Sequence, residues 1–233
     1  MGQRVRVDRR IAAAYLLLVA ACRANPGAVV PENAPPVGRD QVARWVESTV
    51  PTRHRLHRFK WLFRDEKSSA GGRGSARIAP PDSMRFDVAG PFGSGAASAA
   101  VVGETPLWTE PPDAIRKMVP NYPLMWGMFG VARLPEDGAA LRGLTEGATT
   151  AWQYAGAGDT VEYVRTVGKP MRLVTTVRRA GELVGRAEAT LDSTGAPLAA
   201  RLVVPSVPAR LDLTFLSTAP AEFAPDIWVS RKP

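Results

Sequence analysis

The chain has 233 residues, 45% apolar and 22% charged, with 21 Gly, 21 Pro, six Trp, two His, one Cys and a net charge of +8. A single Cys excludes an internal disulfide, and a metal site would have to be built almost wholly from carboxylates, so neither a metal nor a cofactor is expected. The length suits one globular domain with turn-rich connections.

Residues 1–21 open with Arg4, Arg6, Arg9 and Arg10 against Asp8, continue through the apolar run Ile11 to Val19, and end in Ala20-Ala21 ahead of Cys22. The run is too short to span a bilayer and has the flanks of a secretory signal peptide. The tetrad Val19-Ala20-Ala21-Cys22 resembles a bacterial lipobox, which implies lipid attachment (palmitate-type acyl chains) at Cys22; an ordinary signal with an incidental Cys is the alternative. One acyl chain binds a membrane only marginally, whereas two or three hold firmly, so such a protein is anchored without spanning. Arg23 stands where enteric lipoproteins kept at the inner membrane carry Asp, and by resemblance this implies the outer membrane, facing the periplasm.

Residues 22–39 contain Pro26, Pro31, Pro35 and Pro36 with Gly27 and Gly38 and no aromatic residue. That composition predicts an extended, poorly packed tether, with the folded domain at 40–233. Asp40 is placed to cap a short helix with Val42, Trp45, Val46 and Val50 on one face, and Pro51 ends it.

Residues 53–77 hold eight basic side chains against Asp65 and Glu66, while the rest of the chain after Cys22 is about neutral. A nucleic-acid binder would spread its cations over a recognition face with aromatics between them, so nucleic acid is not an expected partner. Two readings of the basic stretch stand: solvated strand faces, or contact with an acidic partner or an anionic leaflet, where each close cation contributes about 1 kcal/mol. His54 and His57 lie in this stretch without a Gly-x-Ser-x-Gly elbow anywhere in the chain, and read as partly exposed residues at a strand start. No catalytic residue and no enzymatic activity is assigned. Gly71-Gly72-Arg73-Gly74 lacks the Lys-Ser/Thr ending of a phosphate loop and predicts a flexible hairpin turn.

Period-two alternation predicts strands around Phe59, Trp61 and Phe63, around Met84, Phe86 and Val88, and then at 152–154, 161–163, 173–177, 187–191, 202–204 and 211–215. Turn signals at 156–159, 179–182, 192–195 and 205–208 separate the later ones. Such a pattern reads as a mainly β, antiparallel meander: a barrel, a half-barrel or a sandwich. One break interrupts it. Pro111-Pro112-Asp113 predicts the opening of a helix to Val119, and a second piece runs Leu124-Met125-Trp126-Gly127-Met128-Phe129-Gly130-Val131, apolar nearly all round. Such a segment must be buried, most simply inside the curve of the sheet.

With these elements in place, the chain resembles the LolA/LolB superfamily of periplasmic lipoprotein carriers and receptors. The resemblance rests on Val88-Ala-Gly-Pro91-Phe92-Gly93-Ser-Gly95, similar to the strand, turn and strand whose tip probes the membrane, and on Tyr122 to Pro135, similar to the segment that closes over the cavity. Gly195 to Leu202 and Arg210 to Phe215 are similar to its last strand pair. The resemblance implies a single curved sheet forming a half β-barrel with an N-terminal helix and an inserted helical lid. It further implies an apolar cavity that binds acyl chains for lipoprotein or lipid transfer by a monomer, with a soluble periplasmic carrier as a candidate partner. Phe92, between Pro91 and Gly93, would be the membrane-probing tip. The candidate lining is Phe59, Trp61, Phe63, Phe86 and Trp152 on the sheet and Met118, Leu124, Met125, Trp126, Met128 and Phe129 on the lid. Two alternatives stay open: these side chains fill a core that takes no ligand, or the chain is an envelope interaction or sensor lipoprotein working through its basic hairpin surface.

Overall fold

The alternating segments assemble into one antiparallel sheet, seen in a computed structural model that describes residues 29–90, 95–111, 119, 121–156 and 158–229. Among these residues there are twelve strands: β1 (Arg55–Arg64), β2 (Ser69–Ala79), β3 (Ser83–Ala89), β4 (Ala97–Val102), β5 (Thr105–Glu110), β6 (Leu141–Glu146), β7 (Thr149–Gly156), β8 (Asp159–Thr166), β9 (Met171–Arg179), β10 (Glu182–Leu191), β11 (Pro197–Val204) and β12 (Ala209–Pro220). Helix α1 (Arg39–Glu47) precedes them, α2 (Tyr122–Met128) lies between β5 and β6, and a 3-10 turn (Pro225–Trp228) follows.

The order across the sheet is β5-β4-β3-β2-β1-β12-β11-β10-β9-β8-β7-β6. Two meanders therefore meet at β1 and β12, where Trp61 pairs with Leu213 and Phe63 with Leu211. The chain leaves β5 at one edge, passes through α2 and re-enters at β6 on the opposite edge. Those edges do not pair with each other, so the sheet is an open half-barrel.

Helix α2 fills the concave side, as its all-round apolar sequence requires. Pro123 to Met128 are all buried, and the helix packs on β9, β10 and β11. Small residues permit the close fit: a Cβ on Gly127 would sit 2.3 Å from Thr175 Oγ1, and one on Gly185 would sit 2.7 Å from Leu124. Aromatics fill the space on either side. Phe59, Phe86, Phe129 and Phe215 contact one another with centroids 5.5–6.1 Å apart, while Trp152 packs on Tyr163 at 4.8 Å and edge-on to Trp45 at 5.6 Å.

Several local expectations are corrected. The cap of α1 is Gly38, with Asp40 inside the first turn, where its charge meets the positive end of the helix dipole. Gly71-Gly72-Arg73-Gly74 is the interior of β2; the hairpin turn lies at Asp65 to Ser68, where Asp65 Oδ1 accepts from the amides of Lys67 and Ser68. Gly74 is needed because the ring of its partner Phe59 occupies the space that a side chain would take, and Gly72 because the carbonyl of Ala89 does. From Val29 onward, the segment expected to form a loose tether is laid on the outside of the sheet. Val30 is buried and donates its amide to Glu162, and the amides of Val37 and Gly143 bond to the carbonyls of Leu141 and Pro35. The C-terminal tail is fastened too: Arg85 and Trp108 donate to the carbonyls of Ile227 and Trp228.

Candidate functional site

A cavity of about 370 Å³ opens at one end of the concave face. Its walls come from distant parts of the chain: the segment after α1, the starts of β1 and β9, the end of β2, the turn after α2 and the β10–β11 turn. Ile78, Phe129, Val131, Met171 and Leu191 supply an apolar lining, and Arg55 and Arg165 bring two cations to it.

Each wall has a local cause. Gly130, at φ 77°, lets the chain turn sharply after α2 and fits against Leu191. Asp192 Oδ1 accepts from the amides of Thr194 and Ala196 and from the Thr194 hydroxyl, which folds the β10–β11 turn over the opening; these bonds hold its carboxyl below the usual range. Arg165 lies 4.6 Å from the Trp45 ring centre and donates to Ser48 Oγ at 2.7 Å, so its guanidinium is already aimed at this end.

His57 is also in the wall, and it is buried rather than partly exposed as the sequence suggested. It is in phase with Phe59 and Trp61 on β1, which is the signal that places it on the inner face. Its Nδ1 is 2.9 Å from Thr218 Oγ1, and burial, aided by nearby Arg55, pushes its pKa from 6.5 down to about 4. The sign follows from proton binding. Between these values the unfolded chain binds the proton that the folded chain refuses, so the His57 contribution is complete above about pH 6.5 and is lost as pH falls toward 4. The loss is about 3 kcal/mol. Urea midpoints of the parent and His57→Gln, compared from pH 7 to pH 4, should show a weaker acid dependence in the variant; equal slopes would contradict the burial of a neutral ring.

A second cavity, about 320 Å³, lies between residues 35–37, α1 and β6–β7, with Val42, Trp45, Leu144 and Trp152 in its wall. Of the residues expected to line an acyl site, Phe129 borders the first cavity and Trp152 the second. Phe59 and Phe86 stack on each other in the core, and Trp61 donates Nε1 to the carbonyls of Arg73 and Ala89. Phe63 is half-buried at the core margin, and Leu124, Met125, Trp126 and Met128 are buried in α2. Met118, the expected membrane-probing residues Pro91, Phe92 and Gly93, and Cys22 lie outside the described residues. Sequence reading missed Arg55, Arg165, Ile78 and Leu191 as partners in one site, because only the fold brings them together.

No family model matches the chain. No curated protein matches it either. Among solved structures it is similar to a LolA superfamily protein from Nitrosomonas europaea, at 8% identity and a TM-score of 0.39 over 83% of this chain and 98% of that one. It is also similar to a putative outer membrane lipoprotein-sorting protein domain from Vibrio parahaemolyticus, at 10% identity and a TM-score of 0.41 over 82% and 97% of the two chains. A third similar structure is the Pseudomonas aeruginosa MucA/MucB complex, at 16% identity and a TM-score of 0.32, covering 82% of this chain and 60% of that one.

Proposed function

We propose that the chain is a lipoprotein anchored through Cys22 that binds acyl chains and takes part in lipoprotein or lipid transfer at the periplasmic side of the outer membrane. The observation that carries the reading is the cavity beside Phe129: one part of its wall is apolar and another carries serine and threonine hydroxyls with Arg55 and Arg165, which suits an amphiphile with an acyl tail and an anionic or polar head. Each buried CH₂ contributes about 0.8 kcal/mol, so a few methylenes hold a ligand without covalent chemistry. Phe92 is the proposed membrane-probing tip, and Phe129 to Val131, which border the cavity after the buried helix α2, are the part of the expected lid that the proposed site uses.

A titration of the full chain carrying Cys22→Ser with a fluorescent long-chain fatty acid tests this. Uptake is expected to approach one per chain, and Met171→Trp, which fills the mouth of the cavity, should weaken it about tenfold by displacing roughly two methylenes. Absence of uptake would favour the second reading, an envelope interaction or sensor lipoprotein, which draws support from the filling of the concave face by α2.

A further inference from the structure

The outer face of the sheet carries a charge pattern that the acyl site does not use. Alternation turns Arg58, Lys60, Leu62 and Arg64 of β1 away from the core, and register puts Arg73 opposite Lys60, Ser75 opposite Arg58, and Arg210 opposite Arg64. With Arg77 and Arg85 on β2 and β3 and Arg201 on β11, eight cations on these five strands face two carboxylates among the described residues. Asp87 binds Arg77 and Arg85, at 2.6 and 2.9 Å, and Asp212 binds Arg201 and Arg210, at 2.9 and 2.6 Å. Each carboxylate is thus already shared by two guanidinium groups.

Arg58, Lys60, Arg64 and Arg73 remain exposed, with no ion pair among the described residues. Lys60 and Arg73 are direct cross-strand partners, and like charges placed opposite each other destabilise a sheet unless a counter-charge meets them. Exposed aliphatic residues accompany them. Leu216 is 51% exposed beside the bulge at Arg58 and Phe59, and Leu198 and Val203 on β11 are 47% and 38% exposed.

We propose that this face, centred on β1 and β2, docks on an anionic lipid bilayer. Single aliphatic side chains dispersed among long cationic ones on a broad face match a headgroup layer, where the chains enter the shallow apolar zone and the cations meet phosphates. The inference is independent of the acyl cavity, which opens on the other face of the sheet.

Sedimentation of the full chain carrying Cys22→Ser with vesicles of phosphatidylcholine, alone or mixed with phosphatidylglycerol, tests it. Binding is expected to the mixed vesicles, to fall as salt is raised, and to drop roughly 30-fold in Lys60→Gln/Arg73→Gln at about fivefold per cation. Both sites are exposed, so an unchanged circular dichroism spectrum is expected in the variant. Parent and variant share one N-terminus, so their difference reads the outer face alone. Equal binding to both vesicle types, or an unaffected double variant, would overturn the proposal; so would capture by polyglutamate without vesicle binding, which would put an acidic protein on this face.

Discussion

Gly72→Val is expected to lower the stability of the fold by about 4 kcal/mol, read as a shift in the urea midpoint. A Cβ at this position would sit 1.9 Å from the carbonyl oxygen of Ala89 and 2.9 Å from Gly90 Cα. These are backbone atoms at and just past the end of β3 and cannot swing aside, so the start of β2 would have to separate from β3. The approach is fixed from the other direction by Trp61, whose indole donates to the carbonyls of both Arg73 and Ala89. Gly71→Ala provides the comparison. Its Cβ would meet Trp61 O at 3.0 Å and the mobile end of Leu62 at 3.4 Å, and a cost below about 1 kcal/mol is expected. Similar losses at both positions would show that the strands do not approach in this way.

The second large effect is expected at Trp126, which is 1% exposed and joins α2 to the β4–β5 turn. Its Nε1 donates to Gly103 O at 2.8 Å, and the Arg133 guanidinium lies 5.1 Å from the centre of its ring. Trp126→Ala should cost about 4 kcal/mol, because it leaves a cavity under the sheet and strips the half-buried carbonyl of Gly103 of its donor. For a domain of this size that corresponds to a fall in Tm of about 12 °C. Trp126→Phe keeps most of the volume and loses the hydrogen bond, for about 1–2 kcal/mol. A Trp126→Ala variant as stable as Trp126→Phe would mean that α2 does not hold the sheet from within.

The two variants probe the parts of the fold that were least and most legible in the sequence. Strands with large alternating side chains, such as Phe59-Lys60-Trp61, declare their inner face by period. Helix α2 declares its burial by being apolar on all sides. β4 is nearly all small residues, Ala-Ser-Ala-Ala-Val-Val, and β5 is an exposed edge, so neither alternates visibly. The glycines of β2 read as a turn because their causes lie on the neighbouring strands, in the Phe59 ring on β1 and the Ala89 carbonyl on β3. The proline-rich start read as loose because prolines lack amide donors, yet Val30, Val37 and Gly143 supply the bonds that fix it.

The candidate site was less legible for the same reason. Phe129 stood out within its apolar run, and the phase of His57 with Phe59 was available. Arg55, Arg165 and Leu191 come from separate strands, and no short-range pattern marks side chains that meet only after the two meanders have joined. The exposed cations of β1 and β2, by contrast, were visible as a basic run at 53–77, although their alignment on one face required the register of Lys60 with Arg73.

Acyl occupancy of the cavity beside Phe129 is tested most directly by native mass spectrometry of the full chain, purified without denaturant, followed by solvent extraction of whatever accompanies it. The predicted result is a bound acyl lipid or acylated peptide at near one per chain, reduced in Met171→Trp. A bare protein mass that stays unchanged when lipid is added would contradict the acyl-binding reading.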